Sequence, residues 1–444
     1  MRKWKEEEIT LLKNNYEKFG VIKLSKILNR SYYSVQKKAR KLGLRFQGKS
    51  WKDEEDFFET NEDAIVTFED IIRTYNKKEQ GLAFNYIAAK KMRKQGVKLK
   101  DIAIKLKIPK QTVSNWSSKT TPRAIRCVIT LTKLGLLPLI SKNNSKFKLF
   151  LKILAWIFGD GNLGNNLTQI TLAGDRKTLQ LLMKEIKLEL PSLKCKLKTK
   201  ETEGVFQDRI IKGRANYLII NNAAISRLLY AAGAPKGDKI VQAIKIPQWV
   251  FKLPDELKSI FLGVLWSADG TKPIWSKRSF YLCFQLSKVL ELKKEQENFM
   301  NEIRKLLGQF GIKSTAVKWS KESYIRNKDG KLVSKSYFYV SCSAENYIKF
   351  FRFVPNFSDD RKKEFIRTLR IVKNRIKRSK YRNALFLEVK KEFEKGKSIK
   401  EISKRFKLPY STVKVWVEGI NSPVKLFSET EVINKLQRLL DDSF

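Results

Sequence analysis

Two aspartates carry the first chemical signal. Asp160 closes the apolar run "LAWIFGDG" and Asp269 closes "FLGVLWSADG"; each is followed by glycine, and they lie 109 residues apart (269 − 160). Apolar residues at helical spacing precede both. Leu151, Leu154, Ala155 and Phe158 share one face of the first run, and Ile260, Gly263, Val264 and Ser267 the equivalent face of the second. Each carboxylate is therefore expected at the C-terminal end of a helix. A third Asp-Gly, Asp329-Gly330 in "RNKDGKLVSKSYFYV", lies between polar and strand-like residues and reads as an ordinary hairpin turn. The chain has no histidine. That removes every mechanism with a His base, Ser-His-Asp hydrolysis included, and the zinc fingers that use His. Its chemistry must use carboxylates and lysines, and a metal ion is expected with them.

The charge balance names a partner. The 444 residues hold 92 Lys and Arg against 45 acids, a net charge of +47. Such an excess repels itself in a compact state unless a polyanion neutralises it. Nucleic acid is the obvious polyanion, with membrane surface and ribosome as rivals. Apolar residues make up 42% of the chain, enough for sizeable cores. No stretch approaches the ~20 apolar residues of a spanning helix, and the start "MRKWKEEEIT" lacks the apolar core of a signal peptide. A chain that is not secreted and has no membrane partner is expected, in the cytoplasm or wherever its DNA target lies, organelle or nucleoid. Cys127, Cys195, Cys283 and Cys342 are scattered singly. They support neither a zinc site nor a disulfide framework and are expected to be buried free thiols.

The elements that must position the aspartates lie between about 147 and 375. Strand-like runs ("LTQITLAG", "ANYLIIN", "SFYLCFQLS", "SYFYVSCS") alternate there with helical ones ("RKTLQLLMKEIKLEL", "ELKKEQENFMNEIRKLLGQFG"). Mixed α+β architecture in two halves, 141–250 and 251–380, is the natural reading. All-helical pieces are expected on both flanks. Residues 1–48 show three apolar stripes, begun by Ile9, Leu24 and Val35, and read as three short helices resembling a Myb/SANT-like or helix-turn-helix unit. Gln36, Lys37 and Arg40 would face outward from its third helix. Residues 49–80 are acidic and aromatic and read as a linker or a small helical piece. "GVKLKDIAIKLKIPKQTVSNW", Gly96 to Trp116, recurs as "GKSIKEISKRFKLPYSTVKVW", Gly396 to Trp416. Gly96, Lys100, Ile102, Lys107, Pro109, Thr112, Val113 and Trp116 each meet the same residue 300 positions later. Both copies, within 81–140 and 381–444, read as helix, tight turn, helix, and resemble the helix-turn-helix whose second helix enters the major groove. Lys110, Gln111 and Ser114, and Tyr410, Ser411 and Lys414, would face the groove. A duplicated structural hairpin is the plainer alternative.

With both aspartate runs in view, "ILAWIFGDG" and "LGVLWSADG" resemble the LAGLIDADG motif of homing endonucleases, in the monomeric arrangement with two motifs. The resemblance covers about residues 147 to 375. It implies two pseudo-symmetric αββαββα halves whose motif helices pack side by side, with small residues at the crossing. Ala155 and Gly263 suit that role, and Val264 is bulkier than the family's usual glycine. It further implies Mg²⁺ (or Mn²⁺) held by Asp160 and Asp269 with the positions before them, Gly159 and Ala268. A polarising lysine is implied in each half. Lys239 stands five residues after Ala234 and Lys362 five after Phe357; Lys236 and Lys363 are close rivals. The family's earlier acidic position is occupied by Phe158 and Ser267.

The function expected on these grounds is metal-dependent, site-specific cleavage of double-stranded DNA at a long recognition site, by a monomer. A non-catalytic DNA-binding regulator on the same scaffold, and an RNA maturase assisting intron folding, are the alternatives; RNA is therefore the alternative partner. An intein is disfavoured, because such segments begin with Cys or Ser and end in His-Asn, whereas this chain begins with Met1 and lacks histidine.

Overall fold

The computed structural model describes residues 4–44, 63–118, 120–141, 145–206, 209–276, 279–355 and 359–423. Two compact units emerge, 1–140 and 141–444. Among the described residues no helix is long and apolar enough to cross a membrane.

The first unit is helical. Helices α1 (Glu6–Ile27) and α2 (Tyr32–Lys41) close over Leu12, Tyr16, Leu24, Leu28, Val35 and Ala39. Three helices were expected here and two are found. The first two apolar stripes share α1, which runs straight through Gly20; an interior glycine costs about 1 kcal/mol and does not stop a helix that packing supports. The break expected at Asn29–Ser31, between the second stripe and the third, is found, and Asn29 adopts φ +46°. Ile27, between Leu24 and Leu28, is half exposed. Beyond the undescribed residues 45–62 come α3 (Phe68–Arg73), α4 (Lys77–Lys94), α5 (Leu99–Lys105), α6 (Lys110–Ser118) and α7 (Arg123–Lys133). A capping box between Thr67 and Asp70 starts α3. Its Phe68, Ile71 and Ile72 are buried, so the end of the acidic 49–80 stretch is a helical piece of the fold.

The second unit opens with α8 (Ser145–Phe158), β1 (Gly161–Leu163), β2 (Gln169–Gly174), α9 (Arg176–Glu189), β3 (Cys195–Phe206), β4 (Arg209–Asn221) and α10 (Ala223–Ala231). That is the order αββαββα, with an antiparallel sheet β1-β2-β4-β3. A single-turn helix α11 (Gln248–Phe251) leads to the second half: α12 (Asp255–Asp269), β5 (Ile274–Ser276), β6 (Ser279–Tyr281), β7 (Cys283–Val289), α13 (Lys293–Gln309), β8 (Lys318–Ile325), β9 (Leu332–Tyr339) and α14 (Ala344–Phe353). Its sheet runs β7-β9-β8, the counterpart of β2-β4-β3. The strand matching β1 is reduced to one bridge, Gly270 to Phe284, where the first half pairs Gly161 with Leu172. Pro273 lies just beyond and has no N–H to continue the ladder.

Helix α15 (Asp359–Glu394) then runs 36 residues without interruption. The boundary expected at 380/381 falls inside it. Its far end packs with α16 (Ile399–Phe406) and α17 (Tyr410–Val417) around Val389, Ile402, Val413 and Trp416. This trio repeats the packing of α4, α5 and α6 in the first unit. Trp116 meets Tyr86 edge-on at 5.7 Å, and Trp416 meets Phe386 at 5.6 Å. Gly96 and Gly396 both take φ +85°, and Lys107 and Lys407 take φ +53° and +50°. The offset of 300 thus extends back into the preceding helix, beyond the reach of the sequence identities. Of the cysteines, Cys127 and Cys283 are buried as expected, whereas Cys195 is half-buried and Cys342 exposed.

Candidate active site

Helices α8 and α12 lie side by side, parallel and in register. Near their N-termini Lys148 Nζ donates to Glu256 Oε1 at 2.7 Å. At their C-termini a Cβ placed on Gly159 would collide with the Cβ of Ala268. The two contacts link residues 108 and 109 apart (256 − 148, 268 − 159), so the motif spacing of the sequence is the packing register of the helices. Phe158 packs edge-on against Phe261 between them. Ala155, Gly263 and Val264 are all buried. Gly159 and Ala268 also approach closely, at the very end. Parallel alignment sends both aspartates to the same end: Asp160 stands two residues past the end of α8 and Asp269 is the last residue of α12. The carbonyl ends of two helix dipoles and two carboxylates therefore share one region of negative potential.

The glycines after the aspartates are there for closeness. A Cβ on Gly161 would lie 2.8 Å from the Ile157 Cα, and one on Gly270 would enter the Trp266 indole. Gly270 is extended, at φ −78°. Gly330 behaves oppositely, with φ +68° and open space around it, as a turn glycine should. The three Asp-Gly pairs separate as the sequence indicated.

Lys239 comes from a 3-10 turn, Lys239–Val241, in the segment joining the halves. Its Nζ donates to the Ile157 carbonyl at 2.9 Å and the Phe158 carbonyl at 3.3 Å, and touches that of Gly159. Burial lowers its pKa, while Asp269, Asp160 and Asp238 pull it back up. The second half holds the turn in place. Lys288 Nζ donates to the carbonyls of Lys239 (2.5 Å) and Gln242 (2.7 Å). Asp238 pairs with Arg326 and, at 3.0 Å, with Lys328. Burial raises the Asp238 pKa, but those two cations and the Ile240 N–H outweigh it and hold the carboxyl at about 2. Lys288 is 1% exposed, and burial together with the Lys239 charge brings it down to about 8. A cavity of about 440 Å³ opens here, lined among others by Gly159, Lys239, Ala268, Asp269 and Lys288.

Lys239, Asp160, Asp269, Gly159 and Ala268 are thus brought together. Lys288, Arg326 and Asp238 join them without having been foreseen. Lys236 points elsewhere, its ammonium 4.8 Å above the Tyr230 ring. Lys362 lies in α15, and its side chain is outside the described residues; Lys363 is exposed on the same helix. Among the described residues no group of three or more His, Cys, Asp or Glu could hold a metal ion. The donors at this end are two carboxylates and main-chain carbonyls. The Lys239 ammonium already sits on three of those carbonyls as a cation, so the shell suits positive charge, and hard divalent ions take such oxygen ligands.

Of the other expected contact residues, Lys37, Arg40, Lys110, Gln111, Tyr410, Ser411 and Lys414 are exposed, and Gln36 and Ser114 half-buried. Gln111 donates to Asn115 Oδ1 at 3.0 Å.

Residues 256–354, the second half from α12 through α14, match the family described as LAGLIDADG-like domain. The second half of this chain therefore carries a LAGLIDADG-like domain. Among curated proteins it is 27% identical to a replication factor C small subunit of Methanocaldococcus jannaschii over 313 residues, 68% of this chain and 16% of that protein. It is 32% identical to a tRNA-splicing ligase RtcB of Methanopyrus kandleri over 174 residues, 37% of this chain and 17% of that protein. The chain therefore spans less than a fifth of either relative. A shorter match, 42% identical over 59 residues, covers 13% of it and 76% of the uncharacterized protein Lin2408 of Listeria innocua. Among solved structures, the homing endonuclease I-WcaI bound to its DNA recognition sequence aligns with 49% of this chain and 86% of its own, at 14% identity and a TM-score of 0.32.

Proposed function

We propose that this chain is a site-specific DNA endonuclease of the homing type, cutting both strands of a duplex with one carboxylate per half. The observation that carries the reading is the in-register pairing of α8 and α12, which delivers Asp160 and Asp269 to the same end. Mg²⁺ or Mn²⁺ would be held by those carboxylates with the carbonyls of Gly159 and Ala268, and when bound would supply an activated water and a counter-charge for the leaving oxygen. The chain's own residues do the rest. Lys239 offsets the negative potential of the helix ends and faces the scissile phosphate, and Lys288, Arg326 and Lys328 hold its turn. The excess of 47 positive charges supports a polyanionic substrate. A replication factor subunit, an RNA ligase and an RNA polymerase subunit perform unrelated work by name, yet each shares only 16% to 20% of its length with this chain. That supports a module whose activity is separate from theirs.

The test is incubation of the purified chain with a genomic DNA library and Mg²⁺, followed by sequencing of the ends. Discrete ends at one long sequence are expected from the wild type, and none from an Asp160→Asn, Asp269→Asn double variant. Equal cleavage by both would overturn the site. The repeated three-helix packing of α4–α6 and α15–α17 favours one second reading, a DNA-binding regulator. Tight binding to one sequence without cleavage in either metal would select it.

A further inference from the structure

Helix α15 does more than connect. Eleven of the twenty-two residues from 361 to 382 are Lys or Arg and one is acidic. Among the described side chains Lys363, Arg367, Arg370, Asn374, Lys377 and Tyr381 are exposed. Their spacing of three and four places them on one stripe of the helix, and the stripe contains no acid. Arg378 and Arg382 are exposed beside it, while Thr368 is fully buried. Like charges at these spacings oppose the helix by about 0.2–0.5 kcal/mol per pair. The repulsion is relieved when a polyanion lies along the stripe. The neighbours of α15 say where such a polyanion runs: its N-terminal part packs on α14 of the second half, and its C-terminal part is the first helix of the terminal three-helix unit.

We infer that the exposed stripe of α15 is a phosphate track, on which duplex DNA runs from the LAGLIDADG core to the terminal unit. The inference rests on the proposed DNA-directed function and adds a contact surface to it. Lys363 to Arg382 span about 28 Å at 1.5 Å per residue, the length of roughly eight base pairs at 3.4 Å each. A basic helix laid along the backbone positions the duplex and carries no base readout.

The experiment uses the full chain with Arg370, Lys377 and Arg378 all changed to Gln. Glutamine is a good helix former, and far-ultraviolet circular dichroism checks that the helix persists. Duplex binding is measured from low to moderate salt, with hydroxyl-radical footprinting at the cut site and on both flanks. Each lost phosphate contact lowers the slope of log K against log salt by about 0.9. The expected drop is therefore about 2.7, with protection lost between the cut site and one flank and kept at the cut site. A steep wild-type slope left unchanged by the triple variant overturns the track and leaves the endonuclease reading standing. A flat wild-type slope on duplex, or a drop seen only with folded RNA, overturns both.

Discussion

The ammonium of Lys239 lies 2.9 Å from the carbonyl oxygen of Ile157, so a lysine from the segment between the halves caps the helix that presents Asp160. Its turn is meanwhile tied to the second half through Lys288, Arg326 and Lys328. One side chain thus registers both halves at the carboxylate end. Lys239→Met keeps the stem and removes the charge. It should reduce cleavage by about a hundredfold or more while leaving DNA affinity within a few-fold, as read by single-turnover kinetics and a binding titration. Unchanged single-turnover rates would show that Lys239 only braces the fold.

Asp160→Asn and Asp269→Asn each preserve shape and lose the charge that would hold a cation. Several kcal/mol of transition-state stabilisation are at stake, which is more than about a hundredfold in rate. With one carboxylate left intact in each single variant, nicked circles should accumulate on supercoiled plasmid. The gel ratio of nicked to linear product is the measurement, and simultaneous loss of both products in both variants would mean the halves do not act separately.

Gly159 and Ala268 set how closely the helix ends approach. Gly159→Ala introduces a Cβ where that of Ala268 already stands, and overpacking of this kind costs about 1–3 kcal/mol. Ala268→Gly in the same chain should restore most of it. Urea unfolding of the two single variants and the double variant yields the coupling directly.

Acid should weaken the Asp238 tie. The folded carboxyl is held at about 2, below the ordinary 3.8, so folding favours the ionised form. Its contribution is complete above about pH 4 and disappears as pH falls from 3.8 through about 2. The groups facing it are Arg326, Lys328 and Lys239. Asp238→Asn should lower the urea midpoint at pH 6 and flatten its fall between pH 4 and pH 2.5 relative to the wild type.

The aspartates, their helix ends and the repeat were legible because each rests on local periodicity. Asp160 and Asp269 follow apolar runs that only a buried helix explains, and Val113 and Trp116 recur as Val413 and Trp416. What escaped depends on packing from afar. Lys288 sits in the strand "CFQLSKV", where a lysine reads as solvent-facing, yet it is almost fully buried under the Lys239 turn. Strands β3 and β8 were not read as strands. They are edge strands, and exposed Lys196, Lys198, Lys200 and Lys318 blunt them, as edges require. The first two apolar stripes of residues 1–48 were read as separate helices and are one, because Leu24 and Leu28 pack on the same core as Leu12.

Helix α15 contains neither Gly nor Pro from Asp359 to Glu394 and enters the terminal three-helix unit without a joint. A jointed tether would let that unit seek its contacts at many separations. An unjointed one holds a single distance and a single rotational phase. Each base pair inserted into a target between the two contacted segments moves them apart by about 3.4 Å and turns them by about 34°, a tenth of a helical turn. Five inserted pairs would carry the flank to the opposite side of the duplex, and ten would bring back the face but not the reach. The DNA such a chain uses must therefore keep its internal spacing even where its bases drift.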